Sequence, residues 1–333
     1  MREPERFEEL RPLLFSIGYR MLGSVSEAED VVQDAFLRFD RARREGAAID
    51  SPKSWLSAVV TRLAIDALRS ARVRRERYVG TWLPEPLVTD DAAADPAGQA
   101  ELDESLSMAF LLVLERLGPT ERAVFLLHDV FGYGHAEIAA IVGRSEVAVR
   151  QVAARARRRV RSERPRVERA RVERPQVDSA PEERRSVAAR LVAAMTAGDV
   201  GAVTRLLAPD VVVEGDGGGK APQWTQPIEG IDRAARLLVG VGDQARALGL
   251  RFEPATVNAE PGAVVRDRDE RVVNVFSFEV VDGLVRSVRS VINPDKLRHL
   301  GPVADVRALG RELGRRAREA DSARPTTGRH GTR

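Results

Sequence analysis

The sequence predicts a multidomain chain: two all-α helical domains, the second a helix-turn-helix, followed by a C-terminal α+β domain. Three observations predict it. Apolar residues recur at helical spacing through residues 5–75 and again through 102–160. Within the second block, HAEIAAIVGRSEVAVRQVAARARRRV (135–160) reads as two helices about a glycine-containing turn. Beyond residue 182 helical patterning gives way to strand-like runs, the last two separated by Asp282-Gly283, a hairpin turn signal.

In chain order, Phe7 to Leu22 forms one amphipathic helix. Ser26 with Glu29 makes a capping box for the next, which runs to about Arg43. Its apolar face carries Ala28, Val32, Ala35 and Phe39, and its polar face Asp30, Gln33 and Asp34. Asp30 and Asp34 are like charges four residues apart, a pairing that costs about 0.2–0.5 kcal/mol in isolation. From the residues alone this is a solvated acidic face, and a basic partner is the competing reading. Ala47–Pro52 is a loop, and a third helix runs from about Trp55 to Arg75 with Arg62, Asp66, Arg69 and Arg72 on its polar side. Such a positive stripe suits single-stranded DNA, while Phe36, Phe39 and Trp55 belong to the core.

Residues 78–104 hold Trp82, Pro84 and Pro86 and then DDAAADPAG, an extended acidic linker. Helices resume at Leu102–Leu117 and Pro119–Val130. In the helix-turn-helix, Ile138, Ala139 and Val142 lead to Gly143, and Ser145 caps the second helix. Val149, Val152, Ala156 and Val160 face inward there, with Arg150, Gln151, Arg155 and Arg158 outward. The near-repeat RPRVERARVERPQV lies in a second linker. Arg184–Ala197, Val200–Leu207 and Gly230–Leu248 read as helices. Val211–Glu214, Arg251–Val257, Arg271–Val280 and Leu284–Ile292 read as strands. The arginine-rich tail allows a helix over Val303–Ala320 and ends in disorder at PTTGRHGTR.

Net charge is +3, and the chain has three lysines: Lys53, Lys220 and Lys296. The arginine bias reads first as genomic composition, yet from Arg144 to Arg174 arginines far outnumber acids, as a nucleic-acid contact zone requires. The absence of cysteine excludes disulfides, thiolate zinc sites and cysteine nucleophiles. Four histidines do not suggest a histidine-rich metal site, and no cofactor is expected. The N-terminus lacks a secretory apolar core, and no apolar run approaches the roughly 20 residues that span a bilayer. A soluble, cytoplasmic chain without membrane contact is expected.

The order AEDVVQDAFLR, SWLSAVVTRLAIDALR, LGPTERAVFLL and then the helix-turn-helix resembles the extracytoplasmic-function (ECF) sigma factors over about residues 5–161. The resemblance implies a region 2 domain (5–77) for core RNA polymerase and the −10 element, a linker (78–104), and a region 4 domain (105–161) for the −35 element. It implies that Asp30, Gln33 and Asp34 meet polymerase, against the solvated-face reading. Arg62, Asp66, Arg69 and Arg72 match the −10 helix more loosely. Ser145, Glu146, Arg150, Gln151 and Arg155 would face the −35 duplex, where arginine reads guanine and glutamine adenine.

After a linker (162–181), residues 182–300 resemble a SnoaL-like cone domain, carried as an extension by one subgroup of these factors; 301–333 is a basic tail. Three marks of the subgroup stand at Trp82–Val88 (WLPEPLV), Asp216–Lys220 (DGGGK) and Asn293–Leu297 (NPDKL). Regulation in cis is expected through Trp82, Pro84, Pro86, Asp216, Gly217, Gly218, Gly219, Lys220, Asn293, Pro294, Asp295 and Lys296, with the C-terminal domain folding back through its Asp216–Lys220 loop onto the linker or the adjacent helices. GDGGGK is no phosphate loop: no Ser or Thr follows Lys220, and Pro222 opposes the helix such a loop needs. Its glycines serve a tight turn and close backbone approach. Asp210, Glu214, Asp216 and Glu279 are carboxylates without a convincing catalytic partner, so no enzyme is expected; a retained pocket for an unknown small-molecule ligand stays open. The alternatives are a DNA-binding regulator that acts without polymerase, and an enzyme or ligand sensor fused to a DNA-binding module.

Overall fold

The computed structural model describes residues 3–75, 78–89, 105–163 and 180–322. The repeat at 164–179, the acidic stretch 90–104 and the terminal PTTGRHGTR lie outside these residues. The chain divides into two compact units, one of residues 1–179 with 255–260, the other of 180–254 with 261–333.

The first unit is helical: α1 (Glu3–Leu22), α2 (Val25–Arg44), α3 (Pro52–Arg75), α4 (Met108–Leu114), α5 (Pro119–Phe125), α6 (His135–Val142) and α7 (Glu146–Glu163). A π-helical turn, Leu126–Val130, follows α5. One continuous core joins Leu14 and Ile17 of α1, Leu56 and Val60 of α3, Val124 of α5, Ile138 of α6 and Val149 of α7. Phe39 and Trp55 pack edge to face at 5.5 Å against that core. Among the described residues of the unit, Arg20 and Arg122 are buried. Arg122 donates to the Met21 carbonyl (2.5 Å), the Leu114 carbonyl and Glu115 (2.5 Å). Arg20 donates to Ser105 (2.8 Å) and lies over the Phe131 ring.

The cap of α2 differs from expectation. Ser24, not Ser26, is the N-cap: its Oγ accepts from the Glu27 amide at 3.1 Å. The linker decides it. The Glu85 carboxylate accepts from the amides of Val25 (2.7 Å) and Ser26 (3.2 Å) and from the Ser24 hydroxyl (2.8 Å). A carboxylate at a helix N-terminus meets both unpaired amides and the positive end of the dipole. Helix α3 starts at Pro52, earlier than the expected Trp55, with Ser51 accepting from the Ser54 amide. The expected helix over Leu102–Leu117 is shorter where it is described, because Ser107 caps a start at Met108.

The second unit is α+β: α8 (Pro181–Ala197), α9 (Val200–Leu206), β2 (Leu207–Asp216), β3 (Ile228–Glu229), α10 (Ile231–Leu248), β4 (Arg251–Val257), β5 (Glu260–Arg266), β6 (Val272–Val281), β7 (Leu284–Val291) and α11 (Val306–Ser322). Its strands run in the order β4-β5-β6-β7-β2-β3, with β2 and β7 parallel. The helix-facing side of the sheet carries Val211, Val213, Phe276, Phe278 and Val288, packed with Leu191 of α8 and Leu238 of α10. This is the α+β architecture the SnoaL-like resemblance implies. Strand β5 was not expected, because Pro261 and Gly262 oppose a strand reading. Helix α11 starts three residues later than expected, where the Asp305 carboxylate accepts from the Ala308 amide at 3.0 Å.

Candidate nucleic-acid interface and motif segments

The helix-turn-helix is built as its residues dictate. Gly143 takes the left-handed conformation (φ +67°) that ends α6, and Ser145 Oγ accepts from the Ala148 amide at 3.3 Å. Val149, Val152, Ala156 and Val160 are buried, which leaves Arg150, Gln151 and Arg155 exposed along α7. Glu146 pairs with Arg150 at 2.5 Å, one turn on.

Asp30 and Gln33 are exposed on α2, and Asp34 pairs with Arg38 at 3.0 Å on the same surface. On α3, Asp66 pairs with Arg69 at 3.0 Å; the side chain of Arg72 lies outside the described ones. Arg62 is placed differently from a free DNA-facing residue. It donates to the carbonyls of Ile141 (2.8 Å) and Ala140 (2.8 Å), the unpaired acceptors at the end of α6. Tyr133 donates to Ser57 at 2.8 Å on the same seam between α3 and the helix-turn-helix.

The WLPEPLV segment is a docked strap more than a loose linker. Leu83, Pro84, Glu85 and Pro86 are buried, and Trp82 lies over Gly23, where a β-carbon would sit 2.9 Å from its ring. Residues 88–89 form a short strand, β1, pairing antiparallel with 256–257. Beside it stands Asn258, which is 1% exposed. Its side-chain amide donates to Tyr19 Oη (2.6 Å) and the Leu106 carbonyl (3.1 Å). Its Oδ1 accepts from the Leu87 amide (3.0 Å), and its own amide donates to the Leu87 carbonyl (2.8 Å). Tyr19 passes the chain on, donating to the Glu85 carbonyl at 2.6 Å. Burial pushes the Tyr19 hydroxyl far above its ordinary range, so it stays a donor.

The other two motif segments meet each other by a reciprocal exchange. The Asp216 carboxylate takes Lys296 Nζ at 2.8 Å, with both side chains buried. Lys220 in turn pairs with Asp295 at the surface. The Asp216 carbonyl accepts from the amides of Ile292 (2.9 Å) and Asn293 (3.0 Å), and Asn293 Oδ1 accepts from the Asp295 amide, shaping the turn at Pro294. Gly218 and Gly219 have positive φ (+57° and +68°), and a β-carbon on Gly217 would lie 2.5 Å from the Ala221 carbonyl. The glycines thus serve the tight turn and close approach expected of them.

Sequence reasoning passed over Glu85, Asn258, Arg20 and Arg122. Glu85 had a signal, since a carboxylate between two prolines in a linker has few reasons to be there. Among the described residues, no helix is long and apolar enough to cross a membrane. No group of three or more His, Cys, Asp or Glu among them is placed to hold a metal ion.

The family model for sigma-70 region 2 matches residues 6–74, and that for sigma-70 region 4 matches 107–160. The chain is 40% identical over 324 residues to the ECF RNA polymerase sigma factor SigJ of Mycobacterium tuberculosis, covering 95% of this chain and 99% of that one. It is 36% identical over 296 residues to a probable ECF RNA polymerase sigma factor, SigI, of the same species, covering 86% and 92%. The crystal structure of M. tuberculosis SigJ superposes with a TM-score of 0.67 at 37% identity, covering 89% of this chain and 98% of that one. The chain belongs to the ECF RNA polymerase sigma factors.

Proposed function

We propose that the helical unit described above is a closed form of this sigma factor, and that its opening is controlled in cis by the C-terminal half of the chain. A sigma factor works with core RNA polymerase and promoter DNA to direct promoter-specific initiation, and is not an enzyme. In this reading Asp30, Gln33 and Asp34 meet polymerase. Arg62, Asp66, Arg69 and Arg72 serve the −10 element, and Ser145, Glu146, Arg150, Gln151 and Arg155 the −35 duplex.

The observation that carries the closed form is Arg62. Two of its nitrogens are engaged by the Ala140 and Ile141 carbonyls, so α3 and α6 must part before it reaches DNA. Control in cis draws its support from Asn258 and from the strap it holds at Leu87. A ligand for the α+β domain has less to recommend it, because Phe276 and Phe278, 1% and 0% exposed, occupy the helix-facing side of the sheet.

The test is a seam variant that touches neither the polymerase nor the DNA faces. Tyr133→Phe removes the buried hydrogen bond to Ser57, worth about 1 kcal/mol. Reconstituted promoter-dependent transcription at limiting sigma factor is expected to rise about fivefold; unchanged or lower output rejects the closed-form reading. The polymerase face is tested separately. Asp30→Arg/Asp34→Arg is expected to weaken association with core polymerase tenfold or more, about 1.4 kcal/mol, and normal binding would remove those residues from the interface.

A further inference from the structure

We propose that α11 and the DGGGK loop beneath it form a second DNA contact, a trough that takes the phosphate backbone without reading sequence. The proposal rests on the reading that this chain binds promoter DNA. Arg307, Arg311 and Arg318 fall on one side of α11 and line an open groove of about 760 Å³, with Pro222 opposite and Gly310 and Gly314 as its floor.

Two independent observations point outward. The first is charge. Glu312 and Glu319 are engaged by Arg316 and Arg315, off the groove. Arg307 is anchored on the carbonyls of Lys220 (2.9 Å) and Gly219 (3.2 Å). Arg311 pairs at 3.8 Å with Asp305, itself 66% exposed, and its own side chain is 72% exposed. Residues 303–333 carry eight arginines against four carboxylates, none of them after Asp321. From Arg307 to Arg318 the helix rises about 16 Å. That reaches several phosphates of a duplex, which follow each other at about 3.4 Å of axis per strand.

The second is the pair of glycines. A glycine inside a helix is less favourable than alanine, because it gives up more backbone freedom. Internal packing among the described residues does not demand either one: a β-carbon at Gly310 or Gly314 would meet nothing within 4 Å. Both face the groove, where their bare backbone lets a partner approach between the arginines. One cationic wall beside a floor without side chains fits a polyanionic backbone better than an apolar protein helix.

The test uses the full chain and a random-sequence duplex of about 40 base pairs, since backbone contacts carry no sequence information. Affinity is measured from about 50 to 200 mM salt. Arg311→Gln/Arg318→Gln is expected to flatten the slope of log K against log salt by about 1.8, two phosphate contacts, and to weaken binding at least about tenfold at the lowest salt. Gly310→Ala/Gly314→Ala is expected to weaken binding while keeping the charge. Arg150→Ala/Arg155→Ala reports on the helix-turn-helix separately. If that variant loses affinity while the α11 variants match wild type in slope and affinity, the trough is not a DNA site. A wild-type chain with no affinity for the duplex overturns the trough and DNA binding by the free factor together.

Discussion

Alanine at position 258 is expected to speed hydrogen exchange at the Leu87 amide by about 30- to 150-fold, the equivalent of about 2–3 kcal/mol. Asn258 meets every demand of a buried amide: two donors placed, one carbonyl filled, and its own backbone N–H engaged. Alanine leaves the Leu87 amide without its side-chain acceptor and the Tyr19 hydroxyl without a donor. It must also sit at φ +53°, which asparagine tolerates better than alanine. If the strap holds the closed form, transcription at limiting sigma factor rises in parallel. Asn258→Asp separates shape from bonding. It keeps the acceptor for Leu87 but sets a carboxylate against the Leu106 carbonyl, so it should fall between wild type and alanine. Unaltered exchange at Leu87 in both variants would mean that the strap is held by something other than Asn258.

Lys296→Met is expected to remove about 3–5 kcal/mol from the α+β unit, because it takes the Lys296 ammonium away from the Asp216 carboxylate, which is 0% exposed. A lowered denaturant midpoint reads the loss. Combining it with Asp216→Asn should recover part of the stability, since burying two neutral groups costs less than burying one charge. Lys220→Met breaks the partner ion pair at the surface and should cost at most about 1 kcal/mol. Equal losses from the two lysine variants would show that burial does not distinguish the pairs.

The parts of this molecule that sequence made legible are those decided within a few residues. Gly143 and Ser145 fix the turn of the helix-turn-helix locally, and Val149, Val152, Ala156 and Val160 repeat at a spacing only a helix buries together. The ECF family was legible because four such local patterns stand in one order. What escaped was set by distant partners. Ser24 and Ser26 are equal candidates to cap α2, and the choice falls to Glu85, 61 residues beyond Ser24. Arg20 and Arg122 vanish into the charge count of an arginine-rich chain, although their guanidiniums are buried. Asn258-Ala259 makes a positive-φ turn without the glycine that usually advertises one. The DGGGK and NPDKL segments were visible as marks, but their exchange of lysines was not.

That exchange sets terms for deletion mapping. A chain cut after Ile292 loses the Asn293 amide and Lys296 at once, two groups that engage Asp216 at the end of β2. A cut after Leu300 spares the ion pairs but removes Arg307, which pins the loop carbonyls, and Leu309, which packs on the core of the same unit. Shortened chains ending anywhere between those points therefore report on folding first. Only stop codons beyond Ser322, or single substitutions, keep a change in promoter output attributable to regulation.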